Sequence, residues 1–166
     1  MQSLESLSLP LQGSALEPIT ATVSAPASNP KKVLIVDNER HIRMLMMQAL
    51  RKLHDAGVAL FSAEDGLEAL KLIDAEHPDL IFLDLMMPGL HGFDTCRLIK
   101  SDPANRNTYV IIVTARTQSV DRQMGSISGA DEYIVKPFDP IHIAERAAQI
   151  LQIPQQPKGQ SAPILY

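Results

Sequence analysis

Four short apolar runs punctuate the chain: Val33-Leu34-Ile35-Val36, Leu80-Ile81-Phe82-Leu83, Val110-Ile111-Ile112-Val113 and Tyr133-Ile134-Val135. Unbroken apolar runs this short, bounded by turn residues, read as strands buried on both faces, as in a parallel sheet. A weaker run over 58–62 reads as a fifth strand. Between the runs the period changes from two to about three and a half. Ile42, Leu45, Met46, Ala49, Leu50 and Leu53 predict a helix over 40–54. A second helix is predicted over 65–76, with Leu67, Leu70 and Ile73 inward and Pro78 beyond its end, and a third over 92–100. Residues 118–128 read as a weaker fourth helix carrying Gly125. The fifth is predicted over 139–151, with Asp139 as N-cap and Pro140 at the first position.

Strand–helix alternation repeated five times predicts a doubly wound α/β fold, a five-stranded parallel sheet with helices on both faces. Such sheets place their chemistry at the carboxyl ends of the strands. Here those ends carry Asp37-Asn38-Glu39, Asp84, Thr114-Ala115 and Lys136-Pro137-Phe138. Taken singly, each has an ordinary structural use: an Asp caps a helix, a Thr bonds its own backbone, a Lys-Pro makes a turn. Taken together, acids, hydroxyl and amine make a metal and phosphoryl site.

At these residues the chain resembles the receiver domain of two-component response regulators, over about 31–153. The resemblance implies a flavodoxin-like (βα)5 fold with strand order 2-1-3-4-5 and a site between the first and third strands. It implies that Asp84 is the phospho-acceptor, assisted by Thr114 and Lys136. Mg2+ would be held by Asp84, the Asp37-Asn38 pair and the backbone carbonyl of Met86. Thr114 and Tyr133 match the hydroxyl and aromatic positions of the family's switch. The partners implied are a sensor histidine kinase or phosphotransfer protein upstream and a protein target downstream. Activity would be limited to self-phosphorylation and self-dephosphorylation, not turnover of a substrate.

The chemistry requires these residue types. A carboxylate attacks a phosphoryl group poorly, because like charges repel and negative charge spreads over the equatorial oxygens. A hard dication bridging carboxylate and phosphoryl oxygens offsets that repulsion. The Lys136 ammonium supplies a compact point charge, and the Thr114 hydroxyl a donor. Ala115 leaves room for the phosphoryl group to enter. Asn38 departs from the family pattern, which has a second acid there. Asn keeps an oxygen donor but loses a charge, and unit charges about 4 Å apart interact by roughly 4 kcal/mol at an effective dielectric near 20. A weaker Mg2+ site is expected, with Asp37 or Glu39 as substitutes. The competing expectation is a degenerate receiver, scarcely phosphorylated, that serves as an interaction module.

Two other classes with related folds or intermediates fit less well. A haloacid-dehalogenase-type phosphotransferase wants a second Asp where the chain has Met86. A flavodoxin-like redox protein wants a phosphate-cradling Ser/Thr/Gly loop where Asp37-Asn38-Glu39-Arg40 would repel phosphate. The five histidines (His41, His54, His77, His91, His142) lack tight metal spacing, and Met44, Met46 and Met47 read as helix packing.

Length and charge narrow the picture further. The 166 residues suit one domain, and a net charge of −4 offers nucleic acid no general attraction. The one cysteine, Cys96, rules out an internal disulfide and is expected to be buried in the third helix. With no membrane-spanning or signal-like stretch, the cytoplasm is expected. Residues 1–30, rich in Ser, Pro and Ala, with Glu5 and Glu17 but no basic residue, read as a disordered extension, and 154–166 as a flexible tail. No DNA-binding domain is expected after the last helix. Output is therefore expected through protein contact at the face of the fourth helix, fifth strand and fifth helix. Asp131 and Arg146 match a cross-subunit ion pair of dimeric relatives. Arg122 matches half of another, whose acid is His142 here. A monomer or weak dimer is expected.

Overall fold

In a computed structural model, which describes residues 29–115 and 129–154, the apolar runs lie side by side as one parallel sheet. The strands are β1 (Lys32–Val36), β2 (Ala59–Ala63), β3 (Leu80–Asp84), β4 (Tyr109–Thr114) and β5 (Glu132–Val135). Their order is β2-β1-β3-β4-β5, with register Val36↔Leu83, Asp84↔Val113 and Thr114↔Val135. This is the doubly wound, flavodoxin-like arrangement expected. Because the chain steps outward from β1 in one direction and from β3 in the other, the crevice lies between those two strands.

The described helices are α1 (Arg40–Ala49), α2 (Arg51–Asp55), α3 (Gly66–Glu76), α4 (Gly92–Ser101) and α5 (Pro140–Ile150). Alternating side chains of each strand point to opposite faces. Val33, Ile35, Phe82 and Ile111 pack with Met46, Leu50 and Leu53 of the first helical segment and with Ile143 and Ala147 of α5. Leu34, Val36, Ile81 and Leu83 pack with Ala69 and Ile73 of α3 and with Cys96 and Ile99 of α4. Double-sided burial is why β3 carries no exposed residue at all.

The helices depart from expectation at three places. The helix predicted over 40–54 is broken at Leu50, whose ψ is 1°; Leu53 N–H bonds back to the Leu50 carbonyl, a tighter three-residue turn that keeps both leucines in the core. Leu67 faces solvent, not the core, at 63% exposure. The inward stripe of α3 is Gly66, Ala69 and Ile73, of which the two small residues, Gly66 and Ala69, let the start of α3 approach its neighbours. A Cβ on Gly66 would fall 2.6 Å from Thr95 Oγ1. Met44 is likewise exposed, and of the three methionines Met46 is the buried one.

The helix signal at Asp139 holds, and Asp65, expected as the first residue of its helix, is instead the N-cap. Asp65 accepts a hydrogen bond from Glu68 N–H at 2.8 Å, and Asp139 from Ile141 N–H at 2.8 Å, with Pro140 opening the helix. The extension over 1–28, the helix predicted over 118–128 with Arg122, and residues 155–166 of the C-terminal tail lie outside the described residues.

Candidate phosphoryl site

Asp37 is the first residue past β1, and Asp84 the last of β3. Continuing the register one step past Val36↔Leu83 puts the two acids side by side at the crevice. Both are buried, at 1% and 3% exposure. Lys136, the first residue past β5, is anchored where its N–H bonds to the Thr114 carbonyl at 2.8 Å; the Lys136–Pro137 peptide is cis. From there its side chain reaches back across the strand ends. Its Nζ lies 2.6 Å from Asp37 Oδ2, 3.5 Å from Asp84 Oδ1 and 3.7 Å from Glu39 Oε1.

The electrostatics follow from these distances. Burial raises the Asp84 carboxyl above its ordinary value, and the Asp37 charge adds to this. Lys136 and the Met86 N–H, which donates to the Asp84 carboxylate, oppose the rise without cancelling it. For Lys136, burial disfavours the charge, but the hydrogen bond to Asp37 and the fields of Asp84, Asp37 and Glu39 outweigh it and raise its pKa. The ammonium sits closer to Asp37 than to Asp84, which explains why one acid of the pair remains poorly compensated.

Thr114 is buried at the end of β4, the strand next to Asp84. Tyr133 pairs with Ile112 on β5, with its hydroxyl oxygen shielded from solvent. Asn38 is exposed beside Asp37, and Ala115 is exposed past Thr114. The crevice thus brings Asp37, Asp84 and Lys136 into one charge cluster, to which Asn38 adds no charge.

Two contributors, Arg43 and Gly92, escaped the sequence reading, and Glu39, expected there as a substitute ligand, also acts through its backbone. Arg43 donates through NH1 to the Asp37 carbonyl at 2.6 Å, fixing the backbone of the acidic turn; its signal is a basic residue in the first turn of α1. Glu39 N–H donates to Asp37 Oδ1 at 2.8 Å, so the turn is closed by the acid itself. Gly92 starts α4 against β3: a Cβ there would overlap the Asp84 carbonyl oxygen and lie 2.7 Å from Leu85 Cα. Only glycine lets this helix begin so close to the acceptor strand.

Two hard carboxylates and a nearby backbone carbonyl fit Mg2+ in donor type, and a dication would relieve the charge that burial and Asp37 impose on Asp84. Among the described residues no three acidic, His or Cys side chains gather as a metal cluster. An ion bound there would take further oxygen, from the Met86 carbonyl, Asn38 or water, to fill its octahedral shell.

The charges expected to pair across a dimer are already engaged within the chain. Asp131 takes Lys100 Nζ at 2.6 Å and Val110 N–H at 2.7 Å. Arg146 binds Glu132 through Nε at 2.7 Å and the Tyr109 hydroxyl through NH2 at 3.2 Å. Within the chain the partner of Arg146 is Glu132, the residue after Asp131.

Residues 33–148 match the family model of the response regulator receiver domain. The chain is 39% identical over 107 residues to protein PilG of Pseudomonas aeruginosa, covering 64% of this chain and 77% of PilG. It is 40% identical over 126 residues to the transcriptional regulatory protein ResD of Bacillus subtilis, covering 75% of this chain and 50% of ResD. It spans about half the length of the transcriptional regulators it matches. Chemotaxis protein CheY4 of Vibrio cholerae has a similar structure, with TM-score 0.66 and 30% identity over 73% of this chain and 98% of that one. No helix among the described residues is long and apolar enough to cross a membrane.

Proposed function

This chain belongs to the response regulator receiver domains of two-component systems, and we propose that Asp84 is its phospho-acceptor, charged by a phosphohistidine on a sensor kinase or phosphotransfer protein. The observation that carries the reading is a buried, undercompensated carboxylate at the end of β3, faced by Lys136 and Asp37. An Asp84 oxygen forms a bond to phosphorus as the phosphorus–nitrogen bond of the donor breaks, and the imidazole leaves with the electron pair and takes up a proton. Lys136 moves its charge onto a phosphoryl oxygen, and Thr114 donates its hydroxyl to another. Asp37, Asp84, the Met86 carbonyl and Asn38 would hold Mg2+, which supplies charge neutralisation in the transition state. Incubation with acetyl phosphate and Mg2+ should add one phosphoryl mass to the intact protein. No gain by a folded sample overturns the proposal and leaves the second reading, a degenerate receiver, which rests on Asn38.

The phosphorylated domain switches through Thr114 and Tyr133. A new dianion draws the Thr114 hydroxyl inward and frees space beside β4 that the half-buried Tyr133 ring can enter. Thr114→Ala should still take phosphate while the β5 amide shifts stay put; normal shifts in that variant end the coupling idea.

The surface a protein target reads is then β5 and α5 together with the helix expected over 118–128, which lies outside the described residues. With Asp131 and Arg146 satisfied internally, cross-subunit pairing would have to break existing bonds, and exposed pairs contribute only about 0–1 kcal/mol each. Sedimentation at micromolar concentration should give a monomer or weak dimer with and without phosphodonor. A tight phosphorylation-dependent dimer would contradict this.

A further inference from the structure

The crevice as drawn holds two carboxylates against one ammonium, a single net negative charge. A dication drawn to a buried site is best matched by two. The position after Asp37 that would supply the second is Asn38, which is exposed and carries no charge.

The structure assigns this missing charge to Glu39, an inference that rests on the phosphoryl-site reading above. Glu39 Oε1 is 3.7 Å from Lys136 Nζ, on the same ammonium that holds Asp37 and Asp84. Its carboxylate is not consumed by the helix that follows: Glu39 is the N-cap residue of α1, yet its side chain makes no capping bond. Its backbone is fixed instead, because its N–H closes onto Asp37 Oδ1 at 2.8 Å. That bond ties the Glu39 backbone to the acid that itself holds Lys136 at 2.6 Å. The other oxygen faces His41 Nε2 at 3.6 Å, an exposed imidazole on the solvent side.

Glu39 acts by its field and not as a direct ligand: its contact in the crevice is the Lys136 ammonium at 3.7 Å, looser than the 2.6 Å contact of Asp37. Its side chain is 48% exposed, so salt screens its contribution in part. Glu39 is therefore a positioning and charge-balancing residue. It draws the cation in and competes with the two aspartates for Lys136, freeing Asp84 to be approached.

The chain contains no tryptophan, so Mg2+ affinity is read by calorimetry, with amide shifts as a second probe. Glu39→Gln should weaken Mg2+ binding roughly five- to tenfold at low ionic strength, and less at high salt. Its melting temperature should stay near that of the parent, because no cap is lost. Adding Asn38→Asp to Glu39→Gln returns the charge one residue away and should restore the parent affinity or exceed it. Unchanged affinity in Glu39→Gln, or a loss that Asn38→Asp does not restore, overturns the assignment. A parent protein that binds no Mg2+ at all overturns the site reading itself, a result distinct from either.

Discussion

Asp84→Asn is expected to take no phosphoryl group from acetyl phosphate and, at neutral pH, to melt at a higher temperature than the parent. The first half follows from the loss of the only nucleophilic oxygen proposed. The second follows from the cost of holding this carboxylate. Burial comes first in raising its pKa and the Asp37 charge adds to it, while Lys136, 3.5 Å away, compensates only partly. A carboxyl with a raised folded pKa binds its proton more tightly folded than unfolded. Between its ordinary value near 3.8 and the raised folded value, unfolding releases protons, so stability falls as pH rises through that window. The deficit then persists at pH 7. Asn removes the charge and keeps an oxygen to accept from Met86 N–H. Lys136 keeps Asp37 at 2.6 Å as its partner. The gain should be on the order of 1 kcal/mol, about 4 °C in Tm for a domain of this size, and should shrink as pH is lowered through 4. Equal melting of the two proteins at pH 7 would show that Asp84 is not held at a cost.

The central strands β1, β3 and β4 were legible because they are buried on both faces, so their apolar runs needed no periodicity to be seen, whereas the edge strands β2 and β5 are only partly buried. The acids and the lysine were legible because each sits at the carboxyl end of such a run. Strand order was not written in any local pattern and came from the resemblance. The helices misled wherever small residues carry the contact: α3 packs through Gly66 and Ala69, so Leu67, the more hydrophobic residue, turns to solvent. The break at Leu50 has no Gly or Pro to announce it. Side-chain partners were the least legible. Arg146 could be placed on the fifth helix, but its bond to Glu132 within the chain was not written in any local pattern, and Lys100 reaches Asp131 from a segment 31 residues away.

Lys136→Met should be the most damaging single change in the crevice. The ammonium is the counter-charge for two carboxylates that are almost wholly buried, and its own side chain is only 12% exposed. Removing one partner from a buried charge cluster costs about 3–5 kcal/mol, because the remaining charges lose their compensation. Asp37 and Asp84 would then face each other across the crevice with only Glu39, another anion, near the vacated place. The loss should depend on pH in a defined way. At low pH the carboxyls are protonated and the variant approaches the parent. The pKa of Lys136 is raised above its ordinary 10.5, so its stabilisation is complete below that value and disappears as pH rises through the folded pKa. The two proteins should therefore converge again in strong alkali and differ most between. Mg2+ replaces part of the missing positive charge, so it should raise the melting temperature of Lys136→Met more than that of the parent. Thermal denaturation across pH, with and without Mg2+, reads all three effects. A variant within about 1 kcal/mol of the parent at pH 7, with the parent's own response to Mg2+, would remove Lys136 from its place as the charge that holds this site together.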